Sequence, residues 1–287
     1  MILQVIADSD FDNGEAVTTP LYAACESGDH HAVARTLLFT YGVDVNHASD
    51  RRTPLWVASA LGYEATVAVC LQHPEVDLNY RATDEECSAL FAASSRGHLG
   101  VVDLLLRAHA DPNLPDVHGR TALFGACHSG SLRVLGLLLR HGVDAGSSAG
   151  AGCPPLVIAS AMGRAEVVTM MLFDDAATEV DVNEGIESSG CTALVIASQE
   201  GHSDIVEILL RHPALDVNQP QTNTGASALV MAAVGGHAQV VQQLITSGAL
   251  LDAPDSYGKT ALSRAHEEGH DSIVDLLVLA GAAEQVE

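Results

Sequence analysis

Lysine occurs once in 287 residues, at Lys259, and aromatic side chains make up only 4% of the chain. Basic residues of both kinds number 13 against 37 acidic ones, a formal charge of −24. Such a balance repels phosphate backbones and anionic membrane surfaces, so neither nucleic acid nor a lipid surface is expected as a partner. The preference for arginine runs along the whole chain and reads as nucleotide composition rather than as a site. Scarce aromatics remove the usual large anchors of a single globular core, yet 47% of the residues are hydrophobic. Together these features point to a core of small residues in a regular arrangement.

Other absences narrow the function. Cys25, Cys70, Cys87, Cys127, Cys153 and Cys191 form no C-x-x-C pair and no Cys/His cluster at zinc spacing, which fits reduced thiols and a cytoplasmic location, with the nucleus as the alternative. The opening residues carry no basic n-region, and no apolar stretch approaches the ~18 residues that suggest membrane spanning. A Gly-rich phosphate loop, a G-x-S-x-G elbow and an H-E-x-x-H helix are all missing. Asp8-x-Asp10-x-Asp12 starts like a calcium loop, but glycine falls one place late and Thr19 stands where a bidentate glutamate belongs, so a polar turn or tail is expected. Cys127 beside His128 suggests a nucleophile and its base. Adjacent helix residues diverge, however, and Cys25 fills the same register, so a half-buried helix cysteine is expected. No catalytic residue, metal or cofactor is assigned.

What the chain does contain is a repeated phrase. Leucines at 21, 55, 90, 123, 156, 194, 229 and 262 follow one another at spacings of 34, 35, 33, 33, 38, 35 and 33. Three residues after each comes alanine, from Ala24 to Ala265, and seven after each comes glycine, from Gly28 to Gly269. Thr19-Pro20-Leu21 and Thr53-Pro54-Leu55 place a hydroxyl cap and then a proline at the start of a helix, and the glycine ends that helix after about two turns. Apolar pairs such as Val101-Val102 with Leu105-Leu106 predict a second helix with one buried stripe. Val43-Asp-Val-Asn46, Val180-Asp-Val-Asn183 and Leu215-Asp-Val-Asn218 read as extended pieces leading into a hairpin. One such unit cannot bury both of its helices, so stacking is obligatory.

With Thr121-Ala-Leu-Phe-Gly-Ala…Gly130 and Ser88-Ala-Leu-Phe-Ala-Ala-Ser-Ser-Arg-Gly-His98 standing close to T-P-L-H-x-A…G-H, the chain resembles the ankyrin-repeat family over residues 17 to 284. The resemblance implies an all-α solenoid of helix-turn-helix units with short β-hairpin loops. Eight repeats are expected at about 17–50, 51–84, 85–118, 119–151, 152–189, 190–224, 225–257 and 258–284, between an acidic N-terminal tail or cap (1–16) and a C-terminal tail (285–287). The family's histidine after the anchor leucine is replaced here by Tyr22, Trp56, Phe91, Phe124, Val157, Val195, Val230 and Ser263. The histidines at 98, 202, 237 and 270 follow the repeat glycine, as in the family pattern, and are read as structural. Asn46, Asn79, Asn113, Asn183 and Asn218 resemble those that an oxygen-dependent hydroxylase modifies in this family, although a role in the turn accounts for them.

In the family the concave face, made of first helices and hairpin tips, contacts a partner protein. That implies a scaffold or adaptor, expected as a monomer, whose partner has a basic or mixed apolar surface. The alternative is the regulatory or substrate-recruiting portion of a larger enzyme or ubiquitin-ligase assembly. The positions five and six after the anchor leucine include Ala60, Leu61, Ser95, Arg96, His128, Met162, Gln199 and Val234; Leu61, Arg96, His128 and Met162 form a mixed apolar and cationic strip. Asp84, Glu85, Val117, His118 and Arg120 on the tips frame it. The long fifth spacing marks an acidic insertion with Asp174, Asp175, Glu179, Asp181, Glu184 and Glu187, a secondary site for a basic peptide.

Overall fold

A computed structural model of the chain describes residues 19–28, 30–143, 145, 152–174 and 180–283. It divides into two compact units, Met1–Val143 and Asp144–Glu287. The first unit holds helices α1 (Pro20–Glu26), α2 (His31–Thr40), α3 (Pro54–Leu61), α4 (Glu64–Cys70), α5 (Ala89–Ser95), α6 (Leu99–Arg107), α7 (Ala122–Ser129) and α8 (Leu132–Arg140). The second holds α9 (Pro155–Ala161), α10 (Ala165–Phe173), α11 (Ala193–Glu200), α12 (Ser203–Leu210), α13 (Ala228–Val234), α14 (Ala238–Thr246), α15 (Ala261–Glu267) and α16 (Asp271–Leu279). Within each unit first helices pack on first helices and second helices on second helices. This is the layered arrangement expected of helix pairs that cannot bury their apolar stripes alone.

Six of the first helices start at a hydroxyl cap, whereas Thr121 before α7 makes no such bond. The hydroxyls of Thr19, Thr53, Ser88, Thr192, Ser227 and Thr260 accept from the backbone N–H three residues on, at 3.1–3.4 Å. In the fifth pair Pro154 takes the cap position and Pro155 opens the helix. The anchor leucines are buried, and the alanines three residues later leave room for the neighbouring helix. Glycine then ends the helix: Gly62 has φ 79°, and a Cβ there would lie 2.6 Å from the His98 ring of the next pair. Both the backbone conformation and the neighbouring ring exclude a side chain.

His98, His202 and His270 place Nε2 3.2, 3.3 and 3.1 Å from the carbonyl oxygens of Ala60, Ala161 and Val234 in the preceding pair. His237 does the same with Gln199 at 2.9 Å. Four histidines thus staple the end of one first helix to the start of the next second helix.

The expected hairpins are present in their shortest form, and the extended pieces leading into them are turns. Among the described residues there is no multi-residue strand, only single antiparallel bridges at Ser49–Arg52, Ala82–Cys87 and Gly185–Thr192. The Val-Asp-Val-Asn segment is a turn because the side chain of its aspartate competes for the backbone: Asp44 accepts from the N–H of Asn46 at 2.9 Å. What replaces a ladder is one backbone bond between successive tips. Thr83 N–H donates to Arg51 and Val117 N–H to Glu85 in the first unit; Thr222 N–H donates to Ser189 and Ser256 N–H to Thr224 in the second. The asparagines serve the same end, since Asn46 Oδ1 accepts from the N–H of Asp77 at 2.8 Å and Asn79 Oδ1 from that of Asp111 at 2.9 Å.

Candidate partner-binding groove

The first unit contains a groove of about 430 Å³ between hairpin tips and first helices. Arg52, Thr83, Asp84, Glu85 and Cys87 come from the tips, and Trp56, Phe91, Ala92, Ser95 and Arg96 from α3 and α5. Trp56 and Phe91 are two of the aromatics that stand where the family places histidine. Each carries a guanidinium over its ring, Arg52 at 5.4 Å from the Trp56 centroid and Arg120 at 5.4 Å from that of Phe91.

The charges on the rim are sorted into pairs. Arg51 pairs with Asp84, and Arg120 pairs with both Glu85 and the buried Asp116. Asp116 also accepts from the N–H groups of His118 and Arg120, at 2.9 and 2.8 Å. Burial works against the Arg120 charge, but the bonds to Asp116 and Glu85 outweigh it and hold this guanidinium above its ordinary pKa. The second unit repeats the device at Asp255. Burial there opposes ionisation, while Arg264 and the N–H groups of Lys259 and Tyr257 prevail and lower the carboxyl below the usual range. Arg120, expected as a contact for a partner, also clamps its own hairpin.

The other expected contacts are placed unevenly. Arg96 is exposed and lines the groove, its Nη1 donating only to the Ala92 carbonyl at 3.3 Å. Ser95 lines it too, half-buried, with its hydroxyl donating to Ala92. Leu61 is 43% exposed and His128 is exposed, both in the first unit but outside the groove lining. Ala60 is buried, and its contribution is the carbonyl that His98 engages. His118 and Val117 are exposed at the third tip. Met162, 43% exposed, belongs to the second unit together with the half-buried Gln199 and Val234, whose carbonyls accept from His237 and His270. Sequence reasoning missed Arg52, which the repeat register assigns to no face.

Of the acidic insertion, Asp175 and Glu179 lie outside the described residues, as does the Asp8–Asp12 segment. Asp174, Asp181 and Glu187 are exposed and Glu184 half-buried. Val182 is buried, Asp181 accepts from Asn183 N–H, and Glu187 N–H donates to the Gly152 carbonyl at 2.7 Å, so residues 181–187 are tied down.

The cysteine and histidine pair does not make a nucleophile. Cys127 is fully buried rather than half-buried, and burial pushes its thiol up to about 12, leaving negligible thiolate at neutral pH. Among the described residues no group of three His, Cys, Asp or Glu could hold a metal, and no helix is long and apolar enough to cross a membrane.

Comparison with known proteins converges on one family. The model for ankyrin repeats (3 copies) matches residues 2–82, 69–149, 141–221 and 214–286. The structure is similar to the crystal structure of the human ASB11 ankyrin repeat domain, with a TM-score of 0.70 and 28% identity, covering 81% of this chain and 100% of that one. In sequence the chain is 44% identical over 73 residues to zinc finger CCCH domain-containing protein 56 of Arabidopsis thaliana, and 53% identical over 45 residues to protein HOS4 of Saccharomyces cerevisiae (strain ATCC 204508 / S288c). Those stretches span only 10% and 4% of the two proteins.

Proposed function

The chain belongs to the ankyrin-repeat family, whose repeats mediate protein–protein interaction, and we propose that it is a scaffold or adaptor holding a partner protein in the groove of its first unit. The observation that carries this reading is the composition of the groove: two aromatic rings and an exposed arginine gathered in a chain otherwise poor in both aromatics and cations. Aromatic and arginine side chains at a concave surface are the groups that dominate binding energy at protein interfaces. Leu61 and His128 extend the surface along the same unit, and Met162 is the corresponding exposed position of the second.

Pull-down from cell extract, read by mass spectrometry, tests the reading with three proteins checked by circular dichroism: wild type, Leu61→Ala/Arg96→Ala/His128→Ala, and Met162→Ala. A partner lost from the triple variant and kept by Met162→Ala is expected. Equal partner sets for wild type and the triple variant would sink the groove. A second reading is the recruiting portion of a larger enzyme or ligase assembly, the groove then holding the protein on which that assembly acts. Catalytic subunits co-purifying with the wild type alone would favour it.

A further inference from the structure

The unmet bonding capacity of the groove has one sign. Asp84 and Glu85 on its rim are taken up by Arg51 and Arg120. The two remaining lining cations, Arg52 and Arg96, have no carboxylate partner among the described residues. Arg52 lies over Trp56, and Arg96 reaches only a carbonyl of its own helix. Two further groups in this wall, Arg52 Nε and Trp56 Nε1, are buried without a hydrogen-bond partner, and Trp56 is 91% buried, since only 9% of it is exposed. All of these are donors. Those two atoms are closed to an occupant of the groove, whereas the Arg96 guanidinium is exposed in it without a carboxylate and stands beside that of Arg52; this pair of guanidiniums favours an acceptor that carries negative charge.

We infer that the groove is a recognition pocket for an aspartate or glutamate side chain on an extended segment of the partner protein, the carboxylate meeting Arg96 and the wall formed by Arg52 and Trp56. The inference rests on the reading of the groove as the binding site and names the chemistry of its occupant. It also runs against the net charge of −24, which would select a basic partner. The two are compatible because solvent-exposed charges farther off than about 8 Å are largely screened at physiological ionic strength, whereas a guanidinium in contact with a carboxylate is screened much less. Phe91 and the Trp56 ring supply apolar walls for the residues flanking the acid, and the tip backbone from Thr83 to Glu85 lies along the same side.

A phage-displayed library of random heptapeptides, selected on the immobilised full chain, is the probe. Wild-type protein is expected to enrich sequences with Asp or Glu at one fixed position. Changing that residue to Gln or Asn should weaken the synthetic peptide about tenfold, as should Arg96→Ala in the protein. Arg96→Glu should move the enrichment at that position to Lys or Arg. Peptides that lose affinity in Arg96→Ala but carry no acidic position would leave the groove as the binding site and overturn only the acidic assignment. Peptides bound equally by wild type and Arg96→Ala, or a selection that yields no binder, would overturn both.

Discussion

Four serines illustrate how much a single buried group can matter in a stack of short helices. Ser59, Ser94, Ser160 and Ser198 occupy the register four residues after the anchor leucine; all four are fully buried, and their hydroxyls have no hydrogen-bond partner. Ala233 fills the same place in the seventh pair and is equally buried, so the slot accepts a methyl group without strain. An unpaired buried hydroxyl costs about 1–3 kcal/mol relative to a satisfied one, and alanine has the better helix propensity. Ser59→Ala, Ser160→Ala and Ser198→Ala should therefore each raise stability by about 1 kcal/mol, read from the midpoint of urea unfolding. A fall of the midpoint would show that the hydroxyls are bonded in solution. Cys25 and Cys127 hold this register in the first and fourth pairs. Their thiols, pushed up above the ordinary cysteine value, are the weak-donor counterpart of the same small, buried group.

Between elements, stability resides in bonds from one helix pair to the next. In the first unit the side chain of Asn46 accepts from the N–H of Asp77, the carboxylate of Asp77 accepts from the N–H of Asn79, and the side chain of Asn79 accepts from the N–H of Asp111. Each link satisfies a backbone donor that no strand ladder reaches, which is why aspartate, then any residue, then asparagine recurs where a hairpin strand was expected. Asn79→Ala should cost about 1 kcal/mol and accelerate hydrogen exchange at the Asp111 amide. Exchange at the Leu250 amide, which Asn218 protects in the second unit, should be unchanged. Unaltered exchange at Asp111 would mean that the turn holds without the side chain. The contrast also shows what was readable from the sequence. Leucine, alanine and glycine positions emerge from one-dimensional spacing because every pair meets its neighbours in the same way and so needs the same residue at the same place. The extended pieces before the hairpins were not readable as turns, because that choice rests on these side-chain bonds, and several of their partners lie about thirty residues away. Arg96 and the aromatic substitutions could be seen in the sequence for the same reason as the leucines. Arg52 could not, since it reaches the groove only by folding over Trp56, nor could the capture of Arg120 by Asp116, which becomes buried only once the tip closes.

For the whole molecule the dominant quantity is charge. Thirteen basic residues, even if each were paired once, would leave at least 24 of the 37 acidic residues without a Lys or Arg of their own. Several ion pairs among the described residues join two exposed side chains, such as Arg51 with Asp84 and Arg211 with Glu207. Pairs of that kind contribute about 0–1 kcal/mol each and weaken with salt. Repulsion among the excess carboxylates also weakens with salt, as the Debye length falls from about 30 Å at 0.01 M to about 10 Å at 0.1 M. The two effects oppose each other, and the excess of carboxylates decides between them: more like charges lie within a Debye length at low salt than there are pairs to lose. The thermal midpoint should therefore rise as sodium chloride is raised from about 0.01 M to about 0.1 M. The gain should shrink above that concentration, once the screening length approaches the distance between neighbouring side chains. A midpoint that falls with salt would show that the ion pairs along the hairpin tips, rather than the repulsion, set the stability of the stack.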